Sequence, residues 1–311
     1  MLFHPDEIGI KQINRLVDAN VSVLGIHPVG GPKAFESLKE LILKFKDPDF
    51  KKILDYALSK GLDIEYEFHA ASYLLPRELF NENPELFRMN EYGKRVTDFN
   101  FCASNPETLK IVAKHGAELA EQLYGNNNNF FFWMDDGKNA YCNCPKCKSL
   151  TPSDQQTIML NAILSKIKEK NPSAKMAYLA YCETLAPPTN VTPQTDIFLE
   201  YAPFEKYTTE GENTSQVIKN EQEMVSPLLE FFGAENSRVL EYWYDNSLYS
   251  KWEKPPKKFK VNIDQLNKDV AYYKNKGFLH ISTFACYLGD DYETLYGDVD
   301  ITPFTDAIKN K

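Results

Sequence analysis

Seven short apolar runs punctuate the chain, and most of them are separated by stretches of helical periodicity. That alternation constrains the fold more than any other feature. The runs span 21–28, 62–69, Phe130 up to Asp135, 175–182, 196–202, 239–245 and 278–285. Between them, Ile10, Ile13 and Val17 predict a helix ending near Asn20, and Phe50, Ile53, Leu54, Ala57 and Leu58 predict another stopped by Gly61. Asn105-Pro106 opens a third, reaching about Tyr124. Ser153-Asp-Gln-Gln156 reads as a capping box ahead of Leu160, Ile163, Leu164 and Ile167. Ile263, Leu266, Val270 and Tyr273 set a last helix, stopped by Gly277. Strands alternating with helices predict a parallel α/β sheet, and closure into a TIM (β/α)8-like barrel suits 311 residues read as one domain, 1–311. A full barrel needs eight strands, whereas this chain opens on a helix. The expectation is therefore a barrel lacking its first strand, or one in which some N-terminal segment substitutes for it. No glycine-rich phosphate or dinucleotide loop follows any strand, which argues against a nucleotide fold.

Charge narrows the partners. The net charge is −9 with no basic stripe, so the electrostatic footprint of a nucleic-acid binder is missing. No run of eighteen apolar residues is present to span a membrane. The N-terminus lacks a signal-peptide pattern. That leaves a cytoplasmic protein, or a periplasmic or secreted one whose chain starts after its signal. Nothing in the sequence sets the oligomeric state. Aromatic residues make up 13%, a content that fills a core and also suits a site stacking on sugar faces.

Chemistry concentrates after the run that starts at Phe130. This apolar strand ends on Asp135 and Asp136, and Gly137 permits the turn that would bring both carboxyls to one site. One carboxyl, raised in pKa by its neighbour's charge, would act as a general acid while the other orients the reacting group. Asp-Asp-Gly is also an ordinary turn sequence. The carboxyl ends of the other strands collect His27, His69, Tyr181, Glu200, Tyr201, Trp243, Tyr244 and His280, and with Trp133 these are the candidate substrate contacts. Each histidine taken singly also reads as a satisfied core residue. The loop beyond Asp136 carries Cys142, Cys144 and Cys147, a spacing that suits tetrahedral zinc in a loop at 142–147. Cys102, in the loop after the preceding strand, is the candidate fourth ligand. A Cys144–Cys147 disulfide or free thiols are the alternatives, and Cys182 and Cys286 read as buried thiols.

These residues carry a resemblance. Phe132-Trp-Met-Asp-Asp-Gly137, the three-cysteine loop, Ser153-Asp-Gln155, Leu179-Ala-Tyr181 and Phe101-Cys-Ala-Ser-Asn-Pro106 resemble the glycoside-hydrolase-like barrel family known as domain of unknown function 4838. The resemblance covers most of the chain, most clearly from His27 through Tyr181. It implies a barrel similar to those of glycoside hydrolase families 20 and 84, which process N-acetylhexosaminides with an acidic pair after the fourth strand. On that reading Asp135 would orient the substrate acetamido group, Asp136 would be the general acid, and the strand near Val21 would be the second of the barrel. The implied activity is a glycoside hydrolase on a glycan or polysaccharide, with a non-catalytic carbohydrate-binding barrel, or one domain of a larger enzyme, as the rival.

Overall fold

Strands form where the apolar runs lie, in a computed structural model that describes residues 1–209 and 214–309. In chain order they are β1 Leu2–Phe3, β2 Val23–Ile26, β3 Asp63–His69, β4 Asn129–Trp133, β5 Lys175–Ala180, β6 Ile197–Tyr201, β7 Ser237–Glu241 and β8 His280–Thr283. They make one eight-stranded sheet in that same order, with parallel ladders. Sequential parallel strands with helical crossovers are the TIM (β/α)8 barrel. Along β3, β4 and β6 nearly every residue is buried, because such strands are covered on both faces.

The first strand is not missing: a segment at the start of the chain supplies it as β1, the second of the two expectations. Two residues carry no periodicity, but their backbone is paired on both sides. Gly25 N donates to Met1 O (2.9 Å), His27 N to Phe3 O (2.8 Å) and Ala285 N to Leu2 O (2.7 Å). Leu2 lies opposite Gly25, where a Cβ would come within 2.7 Å of Leu2 Cγ, so only glycine permits the approach.

Two compact units divide the chain. One holds 1–27, 48–65 and 199–311; the other holds 28–47 and 66–198. In the first, Arg238 Nη1 donates to both carboxylate oxygens of Glu65 at 2.8 and 2.9 Å. Register places Glu200 of β6 and His280 of β8 level with Arg238. The helices Pro48–Ser59 and Ile263–Lys276 match the expected ones, and Gly277 ends the latter in the left-handed region at φ 91°.

In the second unit, the helix Pro106–Ala120 starts as expected. Asn105 accepts from Glu107 N and Thr108 N, with Pro106 in the first turn. The helix Pro152–Lys168 starts differently. Its capping box is Thr151 with Asp154, not Ser153 with Gln156. Ser153 Oγ instead donates to Ala186 O (2.6 Å) and Gln156 Nε2 to Leu179 O (3.0 Å). Asp154 also accepts from Thr189 N (2.8 Å) and Asn190 N (2.7 Å), tying the loop after β5 to the helix start.

Candidate functional site

In the second unit the ends of β3 and β4 meet through their last residues. His69 Nδ1 donates to Met134 O at 2.6 Å, and the His69 and Trp133 rings stand edge to face at 5.3 Å. Both side chains are buried. One step on, the two aspartates part company. Asp135 is 5% exposed and turned into the fold. Its Oδ1 accepts from Ser72 N (3.2 Å) and Ser72 Oγ (3.1 Å), and its Oδ2 accepts from Asn100 N (2.9 Å). Asp135 N returns a bond to Asn100 Oδ1 at 2.8 Å. Arg77 braces both donors, with Nε on Ser72 O and Nη1 on Asn100 O, each at 3.0 Å. Burial raises the Asp135 pKa, opposed by the Arg77 charge and the Ser72 hydrogen bonds.

Asp136 is exposed, and the Tyr181 hydroxyl donates to its Oδ1 across 3.5 Å. Tyr181 is half-buried, and burial together with the Asp136 charge raises its phenol pKa. The adjacent Cys182, expected as a buried thiol, is only half-buried and takes a left-handed backbone at φ 45°. For a residue with a side chain this conformation is uncommon, and it marks the turn that carries Tyr181. Ser72, Arg77 and Asn100 were not foreseen from sequence. Asn100 lies just before the Phe101-Cys102 pair that had drawn notice, and its neighbours there gave the only available signal.

Cys102, Cys142, Cys144 and Cys147 come together. All four are buried, unpaired as disulfides, and their sulfurs lie within 4.8 Å of one another. Cys102 Sγ is 3.7 Å from Cys144 Sγ and 3.9 Å from Cys147 Sγ. Met89 N (3.3 Å) and Arg95 Nη1 (3.8 Å) donate to Cys142 Sγ, and Gln155 brackets the Cys142 backbone through its N and its O. Four converging buried thiols form a donor set that fits a soft, tetrahedral ion.

In the first unit, the residue directly after each of four strands is a ring: His4 after β1, His27 after β2, Tyr242 after β7 and Phe284 after β8. They form a row, stacked at His4–His27 and Phe284–Tyr242 and edge to face between His27 and Phe284. Successive centroids are 5.8 Å (His4–His27), 5.0 Å (His27–Phe284) and 4.9 Å (Phe284–Tyr242) apart. Phe204 extends one end at 5.0 Å from Tyr242, and Tyr287 the other at 5.9 Å from His4. His4 Nδ1 donates to His27 O at 2.7 Å, and burial lowers the His4 pKa. His27 is the member of this row among the candidate substrate contacts.

The other candidates of this unit are placed elsewhere. His280 opens β8, so it lies at the strand end opposite to the one that builds barrel sites. Strand β7 stops at Glu241, so Trp243 and Tyr244 lie beyond it and are buried. Trp243 Nε1 donates to Asp269 Oδ2 (3.0 Å) and the Tyr244 hydroxyl to Asp300 O (3.2 Å). Tyr201 donates to Glu221 O (2.9 Å) and packs against Tyr273 and Phe278. Glu200 is buried level with Arg238.

Glu241 is the carboxylate that closes β7, but its partners belong to the helix layer. Lys206 Nζ lies 2.6 Å from Glu241 Oε1 and 3.0 Å from Asp269 Oδ2. Tyr207 (2.7 Å) and Tyr273 also donate to Glu241. Burial works against the Lys206 charge, but the two carboxylates outweigh it and hold its pKa above that of an ordinary lysine.

Among the described residues no helix is long and apolar enough to cross a membrane. Solved structures share the barrel. A glycoside hydrolase family 5 enzyme from Prevotella bryantii B14, in complex with a xyloglucan tetradecasaccharide, aligns over 97% of this chain and 86% of its own, at TM-score 0.54 and 13% identity. A β-galactosidase from Rahnella sp. R3 aligns over 91% of this chain at TM-score 0.55 and 12% identity, and the chain spans 50% of that enzyme's length. Endo-glycoceramidase II from Rhodococcus sp., as a lactosyl-enzyme intermediate, aligns over 92% of this chain and 72% of its own, at TM-score 0.52 and 9% identity. At these identities the likeness shows the fold alone. No curated protein matches the sequence. Residues 44–283 match a family model described as "Domain of unknown function (DUF4838)".

Proposed function

The chain belongs to the DUF4838 family, and on that premise we propose that it is a glycoside hydrolase with Asp136 as its general acid. One observation carries the reading: at the C-terminal end of β4, the position where barrel enzymes place catalytic groups, Asp136 is open and Asp135 is locked. An acid must reach the glycosidic oxygen it protonates, and only Asp136 of the pair is free to do so. Asp135 then acts as the partner that fixes the turn, with Tyr181 bonded to the acid. The glycoside hydrolases that share this barrel support the reaction class.

An N-acetylhexosaminide is the proposed substrate. In substrate-assisted hydrolysis the acetamido carbonyl attacks the anomeric carbon as the acid protonates the leaving oxygen. That route asks for one open acid, which Asp136 would supply, while Asp135, held by Ser72 and Asn100, would act from behind it rather than against the acetamido group. His69, Trp133 and Tyr181 are proposed to line the sugar site in their unit. In the other unit His27 sits in a mostly buried row of rings, and Tyr242, its half-buried member, is the ring proposed to meet a pyranose face.

The four cysteines are proposed to hold a structural zinc ion. Thiolates about 2.3 Å from a tetrahedral zinc sit about 3.8 Å from one another; the Cys102 sulfur lies 3.7 and 3.9 Å from those of Cys144 and Cys147, and all four lie within 4.8 Å of one another. A site closed by four sulfurs leaves no position for substrate.

The test is a screen of the purified protein against chromogenic glycosides, N-acetylglucosaminide and N-acetylgalactosaminide included, beside Asp135→Asn and Asp136→Asn. Turnover of an N-acetylhexosaminide, reduced about 10²- to 10⁴-fold in Asp136→Asn with folding intact, is the expected result. Sugar binding by calorimetry with no turnover of any glycoside would replace the enzyme by a binding barrel.

A further inference from the structure

We propose that the four-cysteine ion site works as a clasp that sets the acidic pair through Asn100, making Asn100 a positioning residue for Asp135. The inference rests on the reading of Asp135 and Asp136 as the functional pair.

Two long loops build the surroundings of Asp135. One follows β3 and runs to the helix Pro106–Ala120; the other follows β4 and runs to the helix Pro152–Lys168. Segments of this length lose much conformational freedom on ordering, so something must fasten them. Cys102 comes from the first loop and Cys142, Cys144 and Cys147 from the second. An ion held by all four adds a metal link between loops that are otherwise tied by hydrogen bonds. Those bonds converge on the same place: Arg88 Nη1 on Asn139 O (3.0 Å), Asn143 N on Met89 O (2.8 Å) and Cys147 Sγ on Ser104 Oγ (3.0 Å).

Asn100 stands two residues before Cys102 and is fully buried. It spends every polar group on this junction. Its N donates to Asp135 Oδ2, its Oδ1 accepts from Asp135 N, its Nδ2 donates to Ala140 O (2.9 Å), and its O accepts from Arg77. Asn100 therefore bonds the end of β4 and the loop that follows it at once. A clasp at Cys102 restrains Asn100 through one intervening residue, and Asn100 restrains Asp135. Neutral thiols at the same separation would give only weak S–H···S contacts, so opening the clasp frees Asn100 first.

The experiment follows metal content and amide exchange, and uses no sugar. The protein is expected to carry about one zinc per chain. Cobalt in its place is expected to give the intense thiolate-to-metal absorption of a four-sulfur site. Stripping the ion with a chelator should speed exchange at the Ser72 and Asn100 amides about tenfold, the loss of one buried hydrogen bond each. The β7–β8 ladder should exchange as before, and zinc added back should restore protection. Cys102→Ser should copy the stripped protein, and Asn100→Ala should speed exchange at Ser72 while the zinc stays bound. The proposal is overturned if the protein holds neither zinc nor cobalt, if exchange at Ser72 and Asn100 ignores the chelator, or if exchange rises uniformly. A protein that passes and yet hydrolyses no glycoside keeps the clasp and loses the enzymatic reading, so the two failures are separable.

Discussion

Replacing each aspartate of the pair by asparagine should give unequal stability losses, and the difference follows from hydrogen-bond arithmetic. Asp135 accepts three bonds, two at Oδ1 from Ser72 and one at Oδ2 from Asn100 N. An asparagine has one acceptor oxygen. Placed over Oδ1 it keeps both Ser72 bonds, but its NH2 then faces the Asn100 N–H, so one bond is lost and two donors oppose each other. An unsatisfied buried donor costs about 1–3 kcal/mol. Against this, the amide removes the burden of a buried charge, which is what raises the Asp135 pKa. The net expectation for Asp135→Asn is a loss of about 1–2 kcal/mol. Asp136 is exposed, with a 3.5 Å contact to Tyr181, so Asp136→Asn should cost less than about 0.5 kcal/mol. Urea unfolding followed by circular dichroism reads both as midpoint shifts at constant m-value. If Asp135→Asn unfolds at the wild-type midpoint, Ser72 and Asn100 do not hold that carboxylate and the assignment of roles fails. The consequence for kinetics is practical: lost turnover in Asp136→Asn reports chemistry, whereas lost turnover in Asp135→Asn reports chemistry and scaffold together.

Lys206→Met should cost about 3–5 kcal/mol at pH 7, because Glu241 and Asp269 would be left buried without their shared cation; a loss below about 1 kcal/mol in urea would show that the ammonium is not what balances them. Glu7 is buried, and burial outweighs Lys254 to raise its pKa from 4.5 to about 8. The native state then holds a proton that the unfolded state has released, so the Glu7 contribution to stability falls as pH rises between 4.5 and about 8. Glu7→Gln should flatten that decline in melts across the window, and an unchanged slope counts against it. At Gly116 an added Cβ would lie 2.7 Å from Ile163 Cγ2, so Gly116→Ala should cost about 1–3 kcal/mol. A double-mutant cycle with Ile163→Ala should recover part of that loss, and strict additivity would refute the contact.

What the sequence revealed depended on how local each cause was. Strand β4 was legible because four bulky apolar residues in a row leave no other economical place for them. The helix at Pro106 was legible because Asn105-Pro106 is a start signal written in two letters. Strand β1 was not, since two residues hold no period and their strand character comes from partners far along the chain. Thr151 was passed over as the cap in favour of Ser153 because the two share one chemistry and Pro152, a first-turn residue, is what decides between them. Expected faces also shifted: Ile10 is 46% exposed while Gln12, Ile13 and Leu16 are buried. The helices Ala34–Lys44 and Thr214–Phe232 went unread, the latter interrupted by Pro227. At the site, the cysteine cluster was legible from spacing plus one distant partner. Ser72, Arg77 and Asn100 were not, because an ordinary serine, arginine or asparagine announces nothing until the fold shows which carboxylate it holds.

The two-residue strand β1 has a consequence for the order of events during synthesis. Leu2 is made well before its partner Ala285, with most of the barrel's elements lying between them in sequence. A contact so distant in sequence carries a large closure entropy and forms only after the intervening elements have folded. Until then, the edge strands β2 and β8 stand with unpaired amides and carbonyls, the kind of edge that pairs with other chains. The seam at β1 should therefore be the last part of the sheet to gain protection, and pulse-labelled exchange that found it protected early would overturn this order.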